Sequence, residues 1–183
     1  MGACCGGQAK YGAFRKDLGS PLLDDIKTKL ASESKVVIVR LSALREIPAS
    51  SSYSGLTDAY VELRLLPEDP IAGVQKQLSS VRPQSCSPKW EPPERFQFIV
   101  SRLNDSKVIL SIFHFNSSKE KDSIPLGDAQ IKLKDFQPGV LSPESTSNNP
   151  NEVLKVVKII NPQNGKPAGE AEVIVSVLTL DEA

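Results

Sequence analysis

The sequence has little of several features that define common protein classes. Its 183 residues include three cysteines, one histidine and 5% aromatic residues, and 22 basic residues balance 22 acidic ones. A disulfide framework is excluded because Cys4 and Cys5 are adjacent and Cys86 is alone, so we expect a reduced, cytosolic compartment. The zero net charge argues against a nucleic-acid partner, because no overall field attracts a polyanion.

Features needed for catalysis or for crossing a bilayer are also missing. His114 has no sequence neighbour that would complete a zinc site or a nucleophile–base pair. The sequence has no glycine-rich phosphate-binding loop, and no run of about 18 apolar residues long enough to span a membrane. We therefore expect a protein that is not an enzyme and has no cofactor.

Short apolar segments bounded by turn residues run from Lys35 onward. Together with fourteen prolines, this spacing predicts an all-β fold, an antiparallel β-sandwich. In "KVILSIFHF" both faces are apolar, which predicts a central strand. The eight predicted strands are Val36 to Leu44, Asp58 to Leu66, Val74 to Val81, Arg95 to Val100, Lys107 to Phe115, Leu126 to Leu133, Glu152 to Ile160 and Glu170 to Leu178.

The first residues, "MGACCGGQ", indicate lipid modification. Removal of Met1 would expose Gly2 for myristoylation, and Cys4 and Cys5 would accept palmitoyl groups, although Gly6 stands where Ser or Thr is usual. One myristoyl chain binds membranes marginally, so stable residence needs a second acyl chain or a basic patch. Residues 1–9 are therefore the predicted acylated anchor, against the alternative of a flexible glycine-rich start.

Residues 10–34 are predicted to be a linker that contains a short helix. Ser20 supplies an N-cap and Pro21 the first helical position. The apolar residues of the segment fall on one face of such a helix, at Leu22, Leu23, Ile26 and Leu30. This stripe packs on the sandwich or inserts into a membrane, and Asp24 and Asp25 favour the first alternative because they repel anionic lipid.

Several segments occur in an order typical of one family: "VVIVRLSALREIP", "GLTDAYVELRLLP", "SPKWEPPERFQF", "LSIFHFN" and "DSIPLGDAQIKL". The chain from about residue 35 to residue 180 resembles the C2 domain, a β-sandwich used in lipid signalling, and the predicted C2-like domain is 35–183. The resemblance implies two four-stranded sheets with three loops at one end. The order of segments is similar to the second, type II, topology, in which the last strand takes the place that the first strand has in the other form.

The resemblance also implies five calcium-ligand positions in the first and third loops. In this sequence they read Ser52, Asp58, His114, Asn116 and Asp122, so two of the five are carboxylates. Neutral oxygens cannot balance a divalent cation, and a histidine nitrogen suits calcium poorly. We expect a remnant of a calcium site, with Asp58 bonding loop backbone instead. The alternative is weak calcium binding at Asp58 and Asp122, helped by Glu120 or Asp128 in another register.

Phosphoinositide binding through basic strands is a second property that the resemblance implies. The candidate headgroup contacts are Arg64, Lys76, Arg82, Lys119 and Lys121, and three cations on the strands less Glu62 give a weak attraction. We therefore expect an adaptor on the cytoplasmic face of a membrane, such as the plasma membrane, that binds membrane lipid and a protein partner without calcium. The alternative is a calcium-dependent phospholipid-binding sensor.

Overall fold

Buried and exposed side chains alternate along most strands of the chain, as a two-layer β-fold requires. The structure is a computed structural model that describes residues 34–50, 55–69, 72–115, 123–136 and 152–179. Apart from one turn of 3-10 helix at Leu133–Asp135, its regular elements are antiparallel strands. The strands are β1 (Lys35–Arg45), β2 (Ala59–Leu66), β3 (Lys76–Leu78), β4 (Lys89–Val100), β5 (Lys107–His114), β6 (Ile124–Lys132), β7 (Glu152–Ile160) and β8 (Pro167–Thr179).

The eight strands follow the order β3-β2-β5-β6-β7-β8-β1-β4. β6 and β7 share a single residue pair, Asp128 with Ile160, so the sheet folds over at this point into two four-stranded layers. We call β3-β2-β5-β6 the first layer and β7-β8-β1-β4 the second layer. β8 pairs with β1 along its length, from Lys35 with Thr179 to Arg45 with Glu170. The predicted all-β, eight-stranded antiparallel β-sandwich is confirmed.

A single hydrophobic core lies between the layers. Each layer contributes fully buried residues, such as Val61 and Leu110 from the first layer and Val39 and Val175 from the second. Trp90, at the start of β4, is also fully buried in this core. β5 lies between β2 and β6, which confirms the prediction that it is a central strand.

The predicted strand bounds are least accurate at the edges of the layers. β3 is three residues long, and residues beyond its two ends bond to the facing strand β4, Gln75 through its side-chain amide and Ser80 through its N–H and hydroxyl. β4 begins at Lys89 rather than Arg95 despite Pro92 and Pro93, since an edge strand tolerates residues that lack an N–H.

The free edges of the two layers are joined by glutamine side chains. Gln75 accepts a hydrogen bond from the Ile99 N–H (2.7 Å) and donates one to the Ile99 carbonyl (2.6 Å). Gln77 donates to the Gln97 carbonyl at 2.6 Å. These amides occupy backbone groups of β4 that an edge strand otherwise offers to another chain.

Other predictions fall on parts of the chain that the structure does not describe. The anchor (1–9) and the linker with its helix (10–34, except Ser34) lie outside the described residues. Within the described ranges, no helix has the length and apolar character needed to cross a membrane.

Candidate functional site

Three connections meet at the end of the sandwich where β1 finishes and β2 begins, which we call the loop end. The Ile47 N–H donates to the Cys86 carbonyl at 2.9 Å, and the Ser85 N–H donates to the Thr57 carbonyl at 2.8 Å. The Phe115 N–H donates to the Asp58 carbonyl at 2.7 Å. The β1–β2, β3–β4 and β5–β6 connections are therefore held together by backbone hydrogen bonds beside the predicted calcium positions.

Asp58 bonds to the backbone of the β3–β4 connection. Its Oδ1 accepts a hydrogen bond from the Gln84 N–H at 2.7 Å. Gln84 has a left-handed backbone with φ of 51°, which a non-glycine residue adopts at some energetic cost. The carboxylate therefore supports a strained turn, as the sequence indicates for an aspartate at the mouth of a loop.

His114 lies beside Asp58 at the end of the β2–β5 ladder. The Asp58 N–H donates to the His114 Nδ1 at 3.1 Å, so this ring nitrogen acts as a hydrogen-bond acceptor. The potential metal ligands that the structure brings together here are one carboxylate and one imidazole nitrogen. The carboxylate already accepts a hydrogen bond from the backbone, and so does the imidazole nitrogen. This pair does not fit calcium, which binds six to eight oxygens.

The other predicted calcium positions, Ser52, Asn116 and Asp122, lie outside the described residues, as do Lys119 and Lys121. Across the described ranges, no group of three or more His, Cys, Asp or Glu side chains has the arrangement to hold a metal ion. Asp128, considered in another register, lies within β6 opposite Ser111.

The predicted headgroup cations on and beside the strands lie next to acidic or aromatic side chains. Lys76 pairs with Glu62 at 2.7 Å, and Arg64 pairs with Glu68 at 3.4 Å. The Arg82 guanidinium lies 5.8 Å from the centre of the Trp90 ring. Arg64 and Lys76 are cross-strand neighbours on the outer face of the first layer, but their acids offset much of the charge that would attract a phosphate.

Two further cations on that face were not predicted. Lys107 and Lys132 are a cross-strand pair of β5 and β6, and their positions alternate with the buried Val108 and Ile131. They therefore share the outer face with Arg64 and Lys76. The sequence carries the necessary alternation, but their proximity depends on a pairing register between strands that cannot be read from either strand alone.

An apolar cluster lies on the outer face of the first layer near the loop end. The rings of Tyr60 and Phe113 stack with centroids 5.3 Å apart, and Phe115 meets Tyr60 edge-on at 6.4 Å. Tyr60, Leu78, Val81 and Phe115, with Ser79 and Ser123, line a shallow cavity of about 360 Å³. Leu78 is 56% exposed and Val81 38% exposed. We call Tyr60, Leu78, Val81, Phe113 and Phe115 the loop-end cluster.

Comparisons with known proteins agree with the β-sandwich fold described above. The family model for the C2 domain matches residues 35–148. The structure is similar to a C2 domain of plant extended synaptotagmin 1, with a TM-score of 0.63 and 15% identity over 79% of this chain and 95% of that chain. A comparison with curated protein sequences gives no significant match.

Longer proteins contain a similar unit. A structure of extended synaptotagmin 2 that holds its SMP domain and two C2 domains matches with a TM-score of 0.57 and 18% identity over 87% of this chain. Human GIVD cytosolic phospholipase A2 matches with a TM-score of 0.58 and 18% identity over 80% of this chain. The chain spans only 28% and 17% of those two chains, so the likeness concerns one module within each.

Proposed function

Because this chain belongs to the C2 domain family, we propose that it is a lipid-binding adaptor held at the cytoplasmic face of a membrane by N-terminal acylation. The loop-end cluster is the observation that carries the lipid contact. It exposes apolar side chains beside the loops, and such a patch on a globular domain marks a contact surface. The cations Lys107 and Lys132 on the same face would add a modest attraction to anionic headgroups.

The anchor supplies the larger share of the membrane affinity in this proposal. Each buried methylene of an acyl chain contributes about 0.8 kcal/mol, but a single myristoyl chain still binds reversibly. Palmitoyl groups on Cys4 and Cys5 would make residence stable. Once the chain is tethered, a weak contact by the loop-end cluster is occupied because its effective concentration at the bilayer is high.

We propose that the lipid contact does not need calcium. Asp58 Oδ1 accepts a hydrogen bond from the Gln84 N–H, and His114 Nδ1 accepts one from the Asp58 N–H, so a calcium ion would compete with the backbone for both atoms. The five family positions contain two carboxylates, Asp58 and Asp122, which is too little charge to offset the dehydration of calcium. The module would then act constitutively, with a protein partner brought to the membrane surface.

The proposal also holds that the chain is not an enzyme. One structural neighbour, cytosolic phospholipase A2, is named as an enzyme, but this chain matches only 17% of its length. A similar module within an enzyme does not carry the reaction of the whole protein, because function resides in particular sites rather than in the fold.

Vesicle binding by the unacylated chain tests the lipid contact. We expect Leu78→Glu with Val81→Glu to weaken binding to phosphatidylcholine–phosphatidylserine vesicles by at least about tenfold, because lost apolar contact and added negative charge each cost on the order of 1 kcal/mol. Val156→Glu is the matched control, since Val156 is 45% exposed on the second layer. Equal binding by the wild-type chain and both variants would remove the loop-end cluster from the proposal.

The calcium sensor is the second candidate function. It is favoured by one neighbour of the same fold, a structure of the two C2 domains of extended synaptotagmin 2, which is described as calcium bound and is 17% identical. Titration of the chain with calcium by calorimetry separates the two functions. A saturable heat together with calcium-dependent vesicle binding would establish the sensor, whereas the adaptor gives neither.

A further inference from the structure

Part of the outer face of the second layer is more buried than a solvent-facing sheet surface should be. In β1, Val37 and Val39 belong to the core, so Val36 and Ile38 lie on the opposite face. Nevertheless Val36 is 2% exposed and Ile38 is 7% exposed. Ser176, the β8 partner of Ile38, is 7% exposed. We call Val36, Ile38 and Ser176 the covered patch.

The described strands do not explain this cover. Each of the eight belongs to one of the two layers, and no strand of the described ranges crosses the outer face of the second layer. Val156, which faces outward on β7 in the same layer, is 45% exposed. Antiparallel strands with a solvated face normally carry polar residues there, whereas here Ile99 and Leu178 flank Val36 in the ladders.

A positively charged row borders the covered patch. Arg40 is the cross-strand partner of Arg95, and Glu152 forms an ion pair with Arg40. Within the described part of the chain, the Arg40 Nε is buried and has no hydrogen-bond partner. A buried donor without a partner favours a covering segment that supplies a hydrogen-bond acceptor. Because two arginines lie beside one glutamate, an acidic acceptor is favoured.

We propose that residues 20–30 form a helix that packs its apolar stripe on the covered patch. The chain outside the structure joins the sheet at Ser34, directly before β1. Residues 31–34 would form the reversal, a normal length for a helix–strand connection. The helix then runs antiparallel to β1. The undescribed segments that follow β1, which are 51–54, 70–71, 116–122, 137–151 and 180–183, have no comparable apolar stripe in the sequence.

The spacing of the stripe matches the spacing of the patch. Leu30, Ile26 and Leu22 are four residues apart, which is about 6 Å of helix rise at each step. Val36, Ile38 and Arg40 are two residues apart, which is about 6.7 Å along the strand at each step. Leu30 therefore meets the level of Val36 while Ile26 meets that of Ile38.

The charges match in the same orientation. At about 100° per residue, Asp25 lies at the border of the apolar stripe. Its height along the helix falls between the levels of Ile38 and Arg40, within reach of Arg40 or Arg95. Its carboxylate therefore brings an acceptor to the row that contains the unpaired Arg40 Nε. An acidic residue at this point would repel an anionic bilayer, so the sheet is the better partner for this helix.

Docking of the helix would also determine the end of the sandwich toward which the N-terminal linker leads. Without it, the linker leaves the sandwich at the start of β1, about 36 Å along an 11-residue strand from the loop end. The docked helix brings Ser20 back toward the loop end by about 15 Å. This consequence rests on the proposed acyl anchor, which would then face the same bilayer as the loops, but the docking itself does not require acylation.

Hydrogen exchange on the full chain, made without acylation, tests the docking. An isolated helix of this length is marginal in water, so we expect the amides of residues 22–30 to exchange at least about tenfold more slowly in the docked chain than when docking is lost. Leu23→Gln with Ile26→Gln should abolish this protection. Thr28→Gln, on the opposite helix face, should retain it, and unchanged exchange in β1 and β5 checks that both variants remain folded.

A photoreactive benzoylphenylalanine in place of Leu30 locates the contact. We expect intramolecular adducts within residues 36–40 or 174–178. Adducts on the outer face of the first layer, adducts between two chains, or protection that appears only when vesicles are added would each overturn the proposal. Wild-type exchange as fast as that of the Leu23→Gln, Ile26→Gln variant would overturn it as well. None of these results depends on whether Gly2 is acylated.

Discussion

At the residue scale, Asp58 supplies the loop end with a hydrogen-bond acceptor for the backbone. The sequence placed this aspartate at the mouth of a loop, where it could serve as a metal ligand or as a backbone acceptor. The structure adds the Gln84 N–H, 2.7 Å from Oδ1. The partner of a short polar side chain is therefore decided by which loop folds beside it.

Substitutions of Asp58 separate these two roles. We expect Asp58→Ala to lower the free energy of unfolding by about 1–2 kcal/mol, because the Gln84 N–H loses its acceptor. Asp58→Asn should cost less, since its amide oxygen still accepts. Urea denaturation with and without calcium measures both effects. If calcium stabilises the wild-type chain but not the asparagine variant, Asp58 is a ligand and our assignment is wrong.

Gly169 is a second residue whose role depends on the packed structure. Its φ is +108°, and a Cβ at this position would lie 2.4 Å from the Arg45 carbonyl oxygen. Gly165 in the preceding turn has a φ of +68° and open space around it. Gly169 therefore combines a left-handed backbone with a close contact to the backbone of Arg45. Gly165 has the left-handed backbone alone.

Alanine substitutions at the two glycines should differ for this reason. Gly165→Ala is expected to cost about 1 kcal/mol from the left-handed backbone. Gly169→Ala should cost about 2–3 kcal/mol or more, because β8 must also shift away from the end of β1. Urea midpoints of the two variants give the comparison. Equal losses would mean that the contact with Arg45 relaxes freely.

At the element scale, central strands and edge strands obey different rules. β2 and β5 match their predicted bounds within a residue, because their alternating apolar side chains lie in strands that pair with a neighbour on both sides. β3 and β4 do not, because an edge strand can shorten, admit prolines or bond through side chains without losing core contacts. The glutamine contacts between β3 and β4 are of this second kind.

Removing these contacts should expose the edge of β4. We expect Gln75→Ala with Gln77→Ala to lower the free energy of unfolding by about 1–3 kcal/mol, since the hydrogen bonds from both amides to backbone are lost. The unpaired edge should also promote self-association. Urea denaturation and light scattering after gel filtration measure the two effects.

The control for this pair is Gln130→Ala. Gln130 is exposed on β6 and accepts a long hydrogen bond from Lys107 at 3.4 Å, so its loss should have little effect on either measurement. If the double variant unfolds and elutes like this control, the glutamines do not protect the edge.

At the scale of the whole molecule, the proposed function joins an acyl anchor to a sandwich with a modest surface for lipid. The strand cations Arg64 and Lys76 are paired with acids, which reduces the charge that they offer to an anionic lipid. In the proposal, acyl chains therefore supply most of the affinity. The docked helix would decide which end of the sandwich faces the bilayer.

Substitutions in the anchor test whether acyl chains or the sandwich supply most of the membrane affinity. We expect Gly2→Ala to move the protein from the membrane to the soluble fraction in a eukaryotic cell, and Cys4→Ser with Cys5→Ser to move much of it, because myristate alone binds reversibly. Intact mass of the purified proteins identifies the acyl chains. Cys86→Ser is the matched control and should remain on the membrane. If an unacylated Gly2→Ala variant stays on the membrane, the sandwich rather than the anchor supplies the membrane affinity.

The sequence alone determined the fold class, the central strands and the position of Asp58 in a loop, because alternation and turn chemistry are local properties. Tertiary structure decided which groups meet: Asp58 with Gln84, Lys107 with Lys132, and the glutamines of β3 with the edge of β4. It also decided that Val36 and Ile38 are buried on a face directed away from the core. These contacts join distant parts of the chain, and the register between strands that sets them is a property of the assembled sandwich.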